Sequence, residues 1–127
     1  MKKFDFGEGP VPAKRHKNGG GWVANTAFVG PKVYVGPNAR VYNKAIVMDN
    51  ACITDNAFVF GKAYVSGRAM IYGDAQVCGN ACVSDKAQVR GKAFVSGETN
   101  VLDYAVITDK AILTDKAYIV SFDMARE

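Results

Sequence analysis

Between Val23 and Ile119 an aliphatic residue returns every six positions: Val, Ile or Leu opens each of 17 consecutive six-residue units. Position five of the unit is Ala in 14 of the first 16, with Val33 and Thr99 as the exceptions. Positions five and one lie two residues apart across the unit boundary, so on an extended strand both side chains point to one face, and that face is the interior. Position three is Asn, Asp or Gly apart from Pro31, Pro37 and Ser121, and Asn, Asp and Gly tolerate the left-handed backbone a corner needs. Each unit therefore reads as a short strand followed by a corner. Small Ala beside the corner and a larger aliphatic at mid-strand fill a narrow triangular prism with three sides to a turn. Seventeen units make about six turns, and with strands stacked about 4.8 Å apart the prism is roughly 27 Å long.

The expected class is all-β: a single-stranded parallel β-helix shaped as a triangular prism. On its residues the chain resembles the left-handed β-helix, or hexapeptide-repeat, superfamily, over residues 22 to 120. The left-handed coil is implied by that resemblance alone, because parallel crossovers are otherwise right-handed. The Gly20-Gly21-Trp22-Val23 entry and the units IYGDAQ and VCGNAC are similar to uncharacterised proteins of phages and bacteria. In the acyltransferases of the superfamily, Gly or an acid follows the aliphatic directly, whereas here it falls one place later. Residues 1–21, rich in Gly, Pro and basic residues, are expected to be an N-terminal arm or cap. Residues 22–120 form the β-helix, and residues 121–127 a C-terminal tail and second candidate cap, since solenoid ends expose strand edges.

Charge changes this picture little. Of the formal +4, residues 1–21 carry +3, from five basic residues against Asp5 and Glu8, leaving +1 spread over the body. A nucleic-acid groove on the body is not indicated, and the run Lys14-Arg15-His16-Lys17 reads as a solvated stretch of the arm. Phe4-Asp5-Phe6-Gly7-Glu8 stands where a signal peptide needs a continuous apolar stretch, and no segment approaches a membrane span. The three cysteines Cys52, Cys78 and Cys82 lack Cys-x-x-Cys spacing, which fits reduced thiols in a cytoplasmic protein. Cys78 and Cys82 fall on different prism sides and read as outward surface residues.

Candidate chemistry is sparse. Superfamily acyltransferases use a wall histidine as general base, often beside a loop extruded from a corner. Related γ-class carbonic anhydrases gather three histidines around zinc. The only histidine, His16, precedes the repeats and reads as an exposed arm residue, and no insertion interrupts the units. No catalytic residue, metal ligand or cofactor site is therefore expected. Thr54, Thr108 and Thr114 sit at position two, but Tyr72 and Arg90 break the regular Thr ladder that ice binding needs.

The informative feature is a set of apolar residues at outward positions. Sorted by eighteen, Trp22, Tyr42, Phe58, Phe60, Phe94 and Ile112 share one outer side. Phe28, Ile46, Met48, Tyr64, Leu102, Tyr118 and Val120 share the next. The third side mixes Tyr34, Met70, Tyr72 and Val106 with polar residues. Rows of this kind make contiguous apolar patches, which mark interfaces more than single exposed residues do. The expectation is a non-catalytic scaffold that self-associates through two sides, as a trimer before a dimer, and binds a protein partner. The phage resemblance implies an inhibitor docking on a host defence complex. The rivals are a sugar or amino-sugar acyltransferase and a structural spacer or polymer.

Overall fold

A computed structural model describes residues 2–120 and 124–125. It contains 20 strands among these residues and no helix. β1 (Lys3–Asp5), β2 (Pro10–Arg15) and β3 (Trp22–Ala24) come first. Two-residue strands then follow at six-residue intervals, from β4 (Phe28–Val29) and β5 (Tyr34–Val35) to β18 (Ile112–Leu113), β19 (Tyr118–Ile119) and β20 (Met124–Ala125). As far as Ile107 each, like β3, pairs in parallel with the strand eighteen residues further on, so that Trp22 lies beside Arg40, Arg40 beside Phe58 and Phe58 beside Gln76. The result is three sheets, one for each side of a stacked β-solenoid. Adjacent rungs are tied by bonds such as Phe28 N–H to the Ala45 carbonyl at 3.0 Å and Gly30 N–H to the Val47 carbonyl at 2.8 Å.

The interior is the aliphatic column the period predicts. From Val33 to Ile107 every residue at positions five and one is at most 1% exposed. Ala27 and Val29 at one end, and Leu113 and Ile119 at the other, are only partly buried, since no complete further rung covers them.

The corners follow the sequence closely. In every unit from Asn43 to Asp115 the third residue has φ between 56° and 70°, whether it is Gly, Asn or Asp. The side chain does more than tolerate this geometry. Asn43 Oδ1 accepts the Gly61 N–H at 3.0 Å, Asp49 Oδ2 that of Gly67 at 3.0 Å, and Asp55 Oδ2 that of Gly73 at 3.1 Å. Asp85 Oδ2 accepts the Asp103 N–H at 3.1 Å. A short acid or amide at a corner thus reaches the backbone one rung away.

The arm differs from the loop its Gly and Pro content suggests. β1 and β2 form an antiparallel hairpin, and β2 pairs with β3, extending the first side by two strands. The stretch after it closes the third side: Val35 N–H donates to the Asn18 carbonyl at 3.0 Å, and Gly21 N–H donates to the Val35 carbonyl at 2.9 Å. The approach is so close that a Cβ on Gly19 would lie 2.2 Å from the Val35 carbonyl oxygen, and one on Gly21 2.3 Å from that of Gly36. Gly19 and Gly21 are therefore packing requirements, while Gly20 has open space around it.

His16, expected at the surface, is buried. Its Nε2 lies 2.7 Å from the Val33 carbonyl, and because a carbonyl only accepts, that nitrogen carries the proton and donates. The Asn18 carboxamide donates to the same oxygen at 3.2 Å. His16 is thus part of a cap that covers the first rung on two of its three sides, leaving β4 as the open edge. At the other end β20 continues the third side in register, with Met124 beside Val106. Residues 121–123 and 126–127 of the expected tail cap lie outside the described residues. No helix among the described residues is long and apolar enough to cross a membrane.

Candidate interaction surface

The hairpin reaches beyond the end of the prism and folds its aromatic residues over the first outer side. Phe4 stacks on Trp22 with ring centroids 4.7 Å apart and planes at 19°. Phe6 stacks on Tyr42 at 4.8 Å, and Tyr42 stacks in turn on Phe60 at 4.9 Å with its edge toward Phe58. Two arginines complete the layer. The Arg15 guanidinium lies 4.7 Å above the Trp22 ring, and that of Arg40 lies between the rings of Phe4, at 4.9 Å, and Phe58, at 5.1 Å. The hairpin tip is held too: Asp5 Oδ1 accepts the N–H groups of Gly7 and Gly9, and the Asn43 carboxamide donates to Glu8 Oε1 at 2.9 Å.

This covering alters the first predicted row. Trp22, Tyr42, Phe58 and Phe60 do come together, but against their own chain: Tyr42 is buried and the other three are half-buried. Burial pushes the Tyr42 phenol above its ordinary range, and the Glu8 carboxylate adds to the shift. Phe94 and Ile112 lie further along the side, beyond Gln76, with Phe94 half-buried and Ile112 exposed. Cys78, expected at the surface, is buried, because its small thiol follows the larger Phe60 ring in the same column. Cys52 is partly buried, which raises its thiol above the usual range, with Asp55 adding to the effect.

The second row stays open. Phe28, Ile46, Tyr64 and Tyr118 are exposed, and Met48, Leu102 and Val120 are half-buried beside them. The Tyr64 hydroxyl donates to the Met48 sulfur at 2.9 Å, fixing two members of the row to each other. From Phe28 to Val120 the outward positions of this side hold no charged residue. The first and third sides carry Arg40 and Arg90 respectively at such positions.

Phe4, Phe6, Arg15 and Arg40 were missed as members of the surface. The alternation Phe4-Asp5-Phe6 is a period-two signal that places both rings on one strand face, but their target lies on the prism.

The YdcK β-solenoid repeat matches residues 75–91, just under one turn of the coil. The chain is similar to that repeat over this stretch. No curated relative and no solved structure matches the chain. Among the described residues no group of three His, Cys, Asp or Glu side chains is placed to hold a metal ion.

Proposed function

We propose that the protein is a non-catalytic β-solenoid scaffold whose second side is a docking surface for protein, occupied first by a second copy of the same chain. The observation that carries this reading is the uncharged second side, with Phe28, Ile46, Tyr64 and Tyr118 exposed along it. Exposed apolar residues that recur along one side mark an interface more than single ones do. Two copies can face each other across a twofold axis with no like charges opposed, and the aromatic rings supply the anchors. With the first side partly occupied by its own hairpin, one open side favours a dimer over the trimer that two open sides would build. Kinship with the left-handed hexapeptide-repeat superfamily and a cytoplasmic location belong to this reading, supported by the six-residue unit and by three cysteines that form no disulfide with one another. A further protein partner, such as a host defence complex met by a phage inhibitor, would use surface left free by the pair.

Light scattering at micromolar concentration is expected to give a dimer. Ile46→Asp with Tyr64→Asp should yield a monomer with unchanged far-ultraviolet dichroism. A wild-type monomer at every concentration, or a dimer indifferent to both substitutions, would refute the docking role of this side. Phe58→Asp is a poor probe, because Phe58 supports Arg40 and the hairpin.

A further inference from the structure

The seam between the hairpin and the first side encloses a cleft of about 300 Å³ lined by Phe4, Arg15, Trp22, Asn38, Arg40 and Phe58, with Asn56 at its margin. That volume lies at the lower end of the range for small-molecule sites. Its chemistry is unusual for a surface seam. Two guanidiniums face one small space, and each is held against aromatic ring faces, with no carboxylate bound to either among the described residues. One N–H of Arg15 is used, donating from Nη1 to the Gly20 carbonyl at 2.9 Å. An acid that touches the lining is Asp74, whose carboxylate accepts from the Asn56 carboxamide at 3.4 Å.

A ring face satisfies the flat surface of a guanidinium and leaves its in-plane N–H groups pointing outward. Stacking also fixes the fork before any ligand arrives, so less side-chain freedom is lost on binding. Two such forks lining one cleft match an anion carrying about two negative charges and oxygens directed to more than one side. A phosphate monoester has both properties, whereas a carboxylate presents its two oxygens in one plane. Asn38 and Asn56 add carboxamides to the lining, and the rings of Phe4 and Phe58 offer apolar contact to the organic part of the ester.

The geometry points to a binding site for a small phosphate monoester in this cleft, with Arg15 and Arg40 as its oxyanion ligands. The site lies on the first side and is independent of the docking surface on the second.

Trp22, the only tryptophan in the chain, lies beneath Arg15 and reports occupancy directly. Titration of the full-length protein with adenosine monophosphate, glycerol phosphate and inorganic phosphate, at constant ionic strength, is followed by Trp22 fluorescence and by calorimetry. Saturable binding of at least one ester is expected, with inorganic phosphate weaker. Arg40→Gln and Arg15→Gln should each weaken it by about tenfold or more, and Arg68→Gln, at a corner elsewhere, should not. Arg40→Lys keeps a charge that can still face Phe4 and Phe58 but lacks the fork. It is expected to hold the hairpin and still lose affinity, so the test survives if the glutamine variants unfold. No saturable signal with any of the three, an equal response to sodium chloride, or undiminished affinity in folded Arg40→Lys would overturn the proposal. A dimer that persists while ester binding fails would leave the docking surface standing and remove this site alone.

Discussion

Ala holds position five beside the corner along almost the whole coil, and from Ala39 to Ala105 each such Ala is at most 1% exposed. Ala81 and Ala87 are fully buried. Ala81→Leu or Ala87→Leu is expected to overfill the corner and cost about 1 to 3 kcal/mol, while Leu at the outward, half-buried Gln76 should be nearly silent. Leu at Gln88 should cost only the hydrogen bond its side chain accepts from the Tyr72 hydroxyl at 3.1 Å, about 0.5 to 1.5 kcal/mol. Thermal melts of the four variants check the ranking. Thr99 makes the complementary case. It is wholly buried, and its hydroxyl has no hydrogen-bond partner among the described residues. Val33 shows that a β-branched aliphatic fits a position-five site elsewhere in the coil. Thr99→Val should therefore stabilise the protein by about 1 to 3 kcal/mol by removing an unsatisfied polar group, read as a higher denaturation midpoint. A lower midpoint would mean that the hydroxyl has a partner in solution.

Among the elements, the hairpin was the least legible in sequence. Its Gly and Pro content matches a loop, and the contacts that make it strand-like lie on the prism: β2 on β3, Phe6 on Tyr42, His16 on Val33. No local pattern encodes such partners, so a basic run and a lone histidine read as solvated when His16 is in fact a capping donor. Tyr42 gives this element a measurable signature. Its phenol is raised chiefly by burial, so the folded state holds the proton more tightly than the unfolded chain. The stability it contributes is complete below the ordinary tyrosine range and is lost as pH climbs through the native value. Ultraviolet titration should show a tyrosine ionising above the ordinary tyrosine range. Phe6→Ala should bring that ionisation down by opening the phenol to water, and an unchanged titration would show that Phe6 does not shield it.

At the scale of the whole molecule the coil behaves as a row of rungs, each supported by its neighbours, so stability should be graded along its length. The cap makes the grading unequal. The Val35 amide is bonded to Asn18, whereas β18 and β19 are the last strands of their sheets. Hydrogen exchange should be slowest through the middle rungs and fall more steeply toward β18 and β19 than toward β5, and the opposite gradient would show the hairpin to be no cap. The coil itself was legible because one short rule is repeated at every rung: aliphatic, corner residue, Ala. Its side assignments followed from counting alone, while the occupation of the first side depended on contacts across the arm that counting cannot reach. The same counting bears on how such a chain can change its length. Losing eighteen residues, such as 60–77, shortens the rod by one storey and leaves every later side chain on its original side. Losing six, such as 60–65, keeps inside and outside intact but sets everything downstream back by one side. Tyr118 would then stand in line with Trp22 instead of Phe28, so a length change invisible to the core would redraw the surface.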